Sequence, residues 1–237
     1  MSIEAGVDVL SHRARDLEVL AQLCPIDDDF MRMIFRDQLA LAQHVLQVLL
    51  DDTSIALETV ETQRDAKRLV GARSASFDVW CRDSSGSAYD LEVERGGSHL
   101  ARRARYYLGA ADAELLDEGQ GFGDLPDVHV VFVYEHDWRR LGGGRYHVDR
   151  HCVEYDTPFD DGEHIMIISA KYRGDDELGI LMRDFCESDP DKMGDALLAE
   201  RVAYLKRDPR GVHEMCELME AIRQEGIEQG MQQGMRL

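Results

Sequence analysis

The apolar positions of this chain change period twice. Over residues 3–23, Val7, Leu10, Leu17 and Leu20 are spaced for one helical face. Asp27-Asp28-Asp29 then offers an N-cap and an acidic first turn for a second helical stretch. Met31, Ile34, Phe35, Leu39, Leu46, Leu49 and Leu50 carry that apolar spacing on to Asp51. From there the period drops to two, and strands are predicted near 55–63, in a hairpin at 75–94, and near 127–134, 145–155 and 163–170. One helix, from about 98 to 118, interrupts them. The segment Val128–Tyr134, "VHVVFVY", is almost wholly apolar and reads as a central strand covered on both faces. From Asp175 the helical period returns over 175–187, 192–206 and 209–237, with breaks at Pro190 and Pro209. Strand, strand, helix, strand predicts a mixed α/β sheet.

The hairpin carries the first candidate chemistry. Phe77, Val79 and Cys81 alternate with Asp78 and Trp80, and Tyr89, Leu91 and Val93 alternate with Asp90, Glu92 and Glu94. Asp83-Ser84-Ser85-Gly86-Ser87 between them is a turn composition. Centred on Ser85, the hairpin sets Asp78 opposite Glu92, Trp80 opposite Asp90 and Ser76 opposite Glu94. Like charges placed directly across two strands are destabilising. Two readings are open: an amphipathic hairpin whose polar face is wet, or carboxylates gathered around a hard divalent cation.

Charge and cysteine content narrow the class. The 237 residues are enough for one buried core with a helical extension. Lys and Arg number 27 against 47 Asp and Glu, so the net charge of −20 repels polyanions at long range. Against that balance, the acid-free run from Arg95 to Ala111 concentrates Arg95, Arg102, Arg103 and Arg105. Arg103 and Tyr107 are four apart and share a helical face, within reach of Glu92 and Glu94 through the Gly96-Gly97 link; the plainer alternative is a surface ion pair and a packed ring. Five scattered cysteines form no C-x-x-C pair, and His147 with His151, in a strand-like stretch, is not expected to be a zinc site. No apolar run approaches the ~20 residues that cross a bilayer. With Glu4 and Asp8 so early, the N-terminus does not resemble a signal peptide, and the expected location is cytoplasmic. Neither a P-loop nor a dinucleotide fingerprint occurs, so no nucleotide cofactor is expected; "LGGGR" at Leu141–Arg145 reads as a turn. In the tail, Gly226, Gly230 and Gly234 each cost about 1 kcal/mol within a helix, so residues 226–237 are expected to fray or to pair with another copy through the C-terminal helices.

Six blocks in order carry a resemblance: "DDFM" (Asp28–Met31), "FDVWCRDSSGSAYDLEVER" (Phe77–Arg95), "RARYY" (Arg103–Tyr107), "LPDVHVVFV" (Leu125–Val133), "PFDDGEHIMI" (Pro158–Ile167) and "YRGDDELGILMRDF" (Tyr172–Phe185). Together they resemble the recombination-promoting nuclease / putative transposase family, a branch of the PD-(D/E)XK nuclease superfamily. The resemblance implies a restriction-endonuclease-like mixed sheet flanked by helices over 25–173; the apolar spacing places an N-terminal helix over 1–24 before it and a helical C-terminal region over 174–225 after it. It also implies a divalent-metal-dependent DNA endonuclease linked to recombination or transposition, with Mg²⁺ or Mn²⁺ as cofactor and DNA as partner. On that basis Asp78, Glu92 and the backbone carbonyl of Val93 would hold the metal, with Asp29 as the acid of the preceding helix. Glu94, Arg103 and Tyr107 would join Asp78 and Glu92 in catalysis, and Arg95, Arg102 and Arg105 would meet DNA phosphates. One position departs from the pattern. Where the superfamily usually has Lys, and this family more often Gln, the chain has Glu94, which could serve only as a base or a further metal ligand. Lys171 in "ISAKY" is a candidate replacement cation. The departure also admits an alternative, a catalytically decayed nuclease fold acting as an interaction or oligomerisation protein.

Overall fold

Residues 15–66 and 75–234 are described in the structure, a computed structural model. The helix expected over 3–23 is present as α1 at residues 15–22, and the earlier part of that expectation lies outside the described residues. The next apolar stretch forms two helices, α2 (Asp28–Phe35) and α3 (Leu39–Leu50), where one run to Asp51 was expected. The break falls in polar Arg36-Asp37-Gln38, where Asp37 takes the left-handed φ of 57° that ends a right-handed helix. Both helices bury the predicted side chains, among them Met31, Ile34, Phe35, Leu46 and Leu49.

The strands follow as β1 (Leu57–Asp65), β2 (Ser76–Asp83) and β3 (Ala88–Glu94), then α4 (Leu100–Leu115) and β4 (Val128–Tyr134). The stretch expected as one strand over 145–155 is split into β5 (Arg145–Val148) and the short β6 (His151–Cys152), which pairs with β7 (Thr157–Pro158). After Val148 no buried apolar alternation is left to hold the chain on the main sheet, and Val153 and Tyr155 are exposed. Then come β8 (Glu163–Ser169) and α5 (Glu177–Asp184), whose N-cap Asp176 accepts a hydrogen bond from Gly179 N at 2.8 Å.

The sheet is mixed, in the order β1-β2-β3-β4-β8-β5. Strands β1 to β3 form an antiparallel meander, β3, β4 and β8 run parallel, and β5 closes the edge antiparallel to β8. Strand β4 lies between β3 and β8 and is buried on both faces, as its almost wholly apolar run predicts. One face of the sheet, with Trp80, Val128, Val130, Phe132 and Ile167, packs under Leu100, Ala104, Leu108 and Ala111 of α4. Helix α2 packs against β1, β2 and β3, and α3 against β1 and α5.

Cys24–Glu187 forms one compact unit, which includes α5. The described parts of Met1–Leu23 and Ser188–Leu237 form the other, with α6 (Ala196–Arg207) and α7 (Pro209–Gly234). There Lys206 Nζ donates to the carbonyls of Ala21, Leu23 and Ser188, a cation at the orphan carbonyls that end α1. Helix α7 continues through Gly226 and Gly230 to Gly234. At Gly211 a Cβ would collide with the Tyr204 carbonyl and lie 2.9 Å from Leu205 Cα, so only glycine lets α6 and α7 meet there. Gly211→Ala is expected to destabilise this unit by about 1–3 kcal/mol. Gly226→Ala, with nothing within 4 Å of the added methyl, is expected to be neutral or to stabilise by up to about 1 kcal/mol. Thermal melts of the two variants followed by circular dichroism check the contrast; equal melting temperatures would remove the packing argument.

Candidate active site

The site begins with the turn. Asp83 accepts hydrogen bonds from Ser85 N (2.9 Å) and Ser87 N (3.0 Å), and Gly86 takes φ of 95°. This fixes the register Val79↔Leu91, Trp80↔Asp90, Cys81↔Tyr89 and Arg82↔Ala88, that of a hairpin centred on Ser85. The ladder ends at Val79↔Leu91, one pair short of the expected Asp78–Glu92 pairing, and Ser76 is not paired with Glu94. Strand β2 stays bonded to β1 beyond this point, through Thr62↔Val79, Arg64↔Phe77 and Asp65↔Ser76. Between those pairs Gln63 of β1 has φ of 58°, and the Phe77 ring lies 4.6 Å from that of Trp80, although strict alternation would separate them. Where β2 and β3 part, the Glu92 side chain fills the gap, and its Oε1 accepts a hydrogen bond from Asp78 N at 3.1 Å.

The wet polar face allowed for by the sequence is not present. Asp78 is 6 % exposed, Asp90 0 % and Glu92 1 %, because α4 covers this side of the sheet. Burial, followed by the charge of Asp78, pushes the Asp90 carboxyl well above the ordinary range. Burial, then Asp90 and Asp78, does the same to Glu92. Asp78 is raised too, since burial outweighs its bonds to Arg32. Since Asp78 and Asp90 both raise Glu92, the protons these carboxyl groups hold belong to the cluster rather than to any one of them.

Two guanidinium groups flank the carboxyl groups. Arg32 of α2 donates from Nε (2.9 Å) and Nη2 (2.7 Å) to Asp78 Oδ1, and also meets Asp28 (2.8 Å) and Asp29 (3.2 Å). Arg103 of α4 donates to Glu92 Oε2 at 3.2 Å, pairs with Glu94, and lies 5.5 Å from the Tyr107 ring centroid. Glu94 Oε1 accepts from Gly96 N (3.1 Å) and Gly97 N (2.6 Å), holding the turn into α4. A Cβ at Gly97 would lie 2.6 Å from that carboxylate, so glycine permits the contact. Six acids (Asp28, Asp29, Asp78, Asp90, Glu92 and Glu94) thus face two arginines, and the surplus negative charge requires protons or a cation.

The remaining expected residues divide. Of the acids on α2, Asp28 is the one that feels Asp78: partial burial, then the Asp78 charge, raises it to about 6, while Asp29 contacts only Arg32 among the contacts described. Tyr107 packs edge-on against Phe77 and Phe132, and burial pushes its hydroxyl up to about 12. Val93 is buried in register with Val133. Arg95 is spent on ion pairs with Asp27 and Glu135, whereas Arg102 and Arg105 lie exposed on α4. Lys171 is exposed just after β8, and no described contact joins it to the carboxyl groups. His151 meets Asp156 and not His147.

Arg32, Asp28 and Asp90 are the site residues that sequence reasoning missed. Asp90 had a signal, since it alternates in phase with Glu92 and stands opposite Trp80. Arg32 had only its i+4 spacing from Asp28, a common surface pattern. Both Asp90 oxygens are buried without a hydrogen-bond donor, and Trp80 Nε1 is likewise unpartnered. Orphaned acceptors among raised carboxyl groups fit a donor set that takes a divalent cation or a proton. Comparisons with protein-family models, with curated proteins and with solved structures return no match for this chain.

These raised carboxyl groups carry a pH dependence of fixed sign. A carboxyl whose pKa is higher in the folded than in the unfolded chain stabilises the fold below its unfolded value, about 4, and loses that contribution as the pH rises through its folded value. For Asp28 that value is about 6, and Asp90 and Glu92, both raised, act with the same sign. The metal-free chain is therefore expected to melt at lower temperature at about pH 8 than at about pH 5, with a smaller drop in Asp90→Asn. A melting temperature that rises over this range in both proteins would contradict the assignment.

Proposed function

We propose that the chain is a divalent-metal-dependent phosphodiesterase acting on DNA, an endonuclease of the PD-(D/E)XK kind. The observation that carries the reading is the meeting of Asp78, Asp90 and Glu92, buried and charge-crowded where β2 leaves β3, with Arg103 beside them on the next helix. Asp78 and Glu92, with Asp28 at the rim, would hold Mg²⁺ or Mn²⁺, and the bound ion supplies a water of lowered pKa and neutralises phosphate charge. Asp90 sets the charge on Glu92 from behind and is a positioning residue. Arg103 can turn a donor toward a phosphate oxygen, a charge-assisted contact, while Tyr107 and Phe132 fix its guanidinium plane. Arg102 and Arg105 offer exposed charge for the nucleic-acid backbone on an otherwise acidic chain. The recombination or transposition setting rests on the sequence resemblance alone.

A second reading has its own support. Glu94 is fully engaged by Arg103, Gly96 and Gly97, which leaves the usual Lys position without a group aimed at a water. A decayed nuclease fold that binds a partner or another copy would keep such a structural cap. Calorimetric titration with Mn²⁺, paired with nicking of supercoiled plasmid in Mg²⁺, separates the two. Binding together with nicking that weakens steeply with salt is the expected result. Silence in both assays overturns the enzymatic reading in favour of the decayed fold.

A further inference from the structure

We infer a second metal site, for a late divalent transition ion such as Zn²⁺ or Co²⁺, built from His147, Asp149 and His164 at the β5–β8 edge of the sheet. It uses other residues than the proposed nuclease site and stands whether or not that site is active.

The strands create the arrangement. Antiparallel pairing of β5 with β8 joins Val148 to Ile165, which brings Asp149 opposite His164 just beyond the last pair. His147 is two residues before Asp149 and therefore points to the same side. His147 Nε2 lies 3.2 Å from Asp149 Oδ1, and His164 Nδ1 lies 3.3 Å from the same oxygen. All three donor atoms fall within 4.8 Å of one another, and this is the group of three that does so among the described residues. Ligands about 2.0–2.1 Å from a tetrahedral zinc stand about 3.3 Å apart. Two of the three edges already have that length.

The surroundings orient the ligands. The His164 ring stacks on His129 with centroids 4.5 Å apart and planes at 16°, and His129 stacks in turn on Tyr89 at 4.8 Å. That row of rings, set across neighbouring strands, fixes the plane in which His164 presents Nδ1. Its other nitrogen, Nε2, faces Asp127 Oδ2 at 3.9 Å, beyond hydrogen-bond length but on the side where metal-bound imidazoles characteristically find an outer carboxylate. Side-chain exposures of 54 % for His147, 51 % for Asp149 and 31 % for His164 leave a fourth position open to solvent, so the ion can exchange. Two imidazoles and one carboxylate select zinc-like ions over Mg²⁺, which prefers all-oxygen shells. The ion would clip the four-residue edge strand β5 to β8.

The test is a titration of the untagged chain with CoCl₂ near neutral pH, followed by visible absorption, with ZnCl₂ as competitor and MgCl₂ as control. With MgCl₂ present to occupy the carboxylate cluster, one Co²⁺ per chain, displaced by Zn²⁺ and not by further Mg²⁺, is expected. His147→Ala and Asp149→Asn, both at exposed positions, should each weaken binding by about tenfold or more. Zn²⁺ should raise the melting temperature of the wild type and not that of His147→Ala. Absence of Co²⁺ binding, or equal affinity in wild type and both variants, overturns the site; the latter result would assign the ion to thiols or other groups.

Discussion

Glu92→Gln is expected to reduce Mg²⁺-dependent nicking of plasmid DNA by at least about a thousandfold, equivalent to about 4 kcal/mol of transition-state stabilisation. The loss follows from where Glu92 lies. It is the carboxyl between Asp78 and Asp90, it accepts the Asp78 amide, and it meets Arg103, so no neighbour can replace its oxygen. The amide nearly preserves volume while removing the charge a hard cation needs, so the fold is retained and metal affinity is lost. Asp78→Asn is expected to behave alike, and calorimetry with Mn²⁺ reads the loss of binding separately from turnover. Glu94→Gln is the informative contrast. Its remaining carbonyl oxygen can still accept from Gly96 and Gly97, so activity should persist. A collapse as deep as that of Glu92→Gln would instead make Glu94 a base or ligand. Nicking unchanged in Glu92→Gln and Asp78→Asn would remove this cluster from any reaction.

Arg32→Met is expected to be the most destabilising single change at the site, costing about 3–5 kcal/mol near neutral pH, or roughly ten degrees of melting temperature. Arg32 places two donors on one oxygen of the buried Asp78, and deleting one partner of such a pair leaves an uncompensated carboxylate in a medium that solvates it poorly. The sign with pH follows. Burial already raises Asp78, and without Arg32 it rises further, so the mutant takes up its proton at a higher pH than the wild type does. The deficit should shrink as pH falls and Asp78 becomes neutral. Adding Asp78→Asn to Arg32→Met should recover most of the loss, as expected when the penalty is the stranded charge. Denaturant unfolding of the four proteins of this cycle at two pH values measures it. Additive losses in the double mutant would show that Arg32 acts through packing alone.

Much of the fold was legible because its signals are local. Period-two alternation located β2 and β3, Asp83 to Ser87 located the turn, and the two together gave the hairpin register. The almost wholly apolar "VHVVFV" announced a strand covered on both faces. What failed also has local reasons. Asp37 can adopt the left-handed conformation that divides α2 from α3, a preference too weak to read against a continuous apolar spacing. The strand over 145–155 was overextended because polar Asp149 and Arg150 alternate as a strand would, although nothing apolar follows to anchor them.

The sequence by itself determined which carboxyl groups lie on one side of the hairpin, since side-chain direction in a strand is fixed by covalent geometry and the turn. It could not determine that these groups are dry, or that Arg32, 46 residues before Asp78, is their counter-charge. Nor could it foretell that His147 would meet His164 rather than His151. Those facts depend on which helix is laid over which sheet face and which strands become neighbours. Only the folded chain excludes water and brings distant charges within a few ångströms, and electrostatic energies are large only under those two conditions.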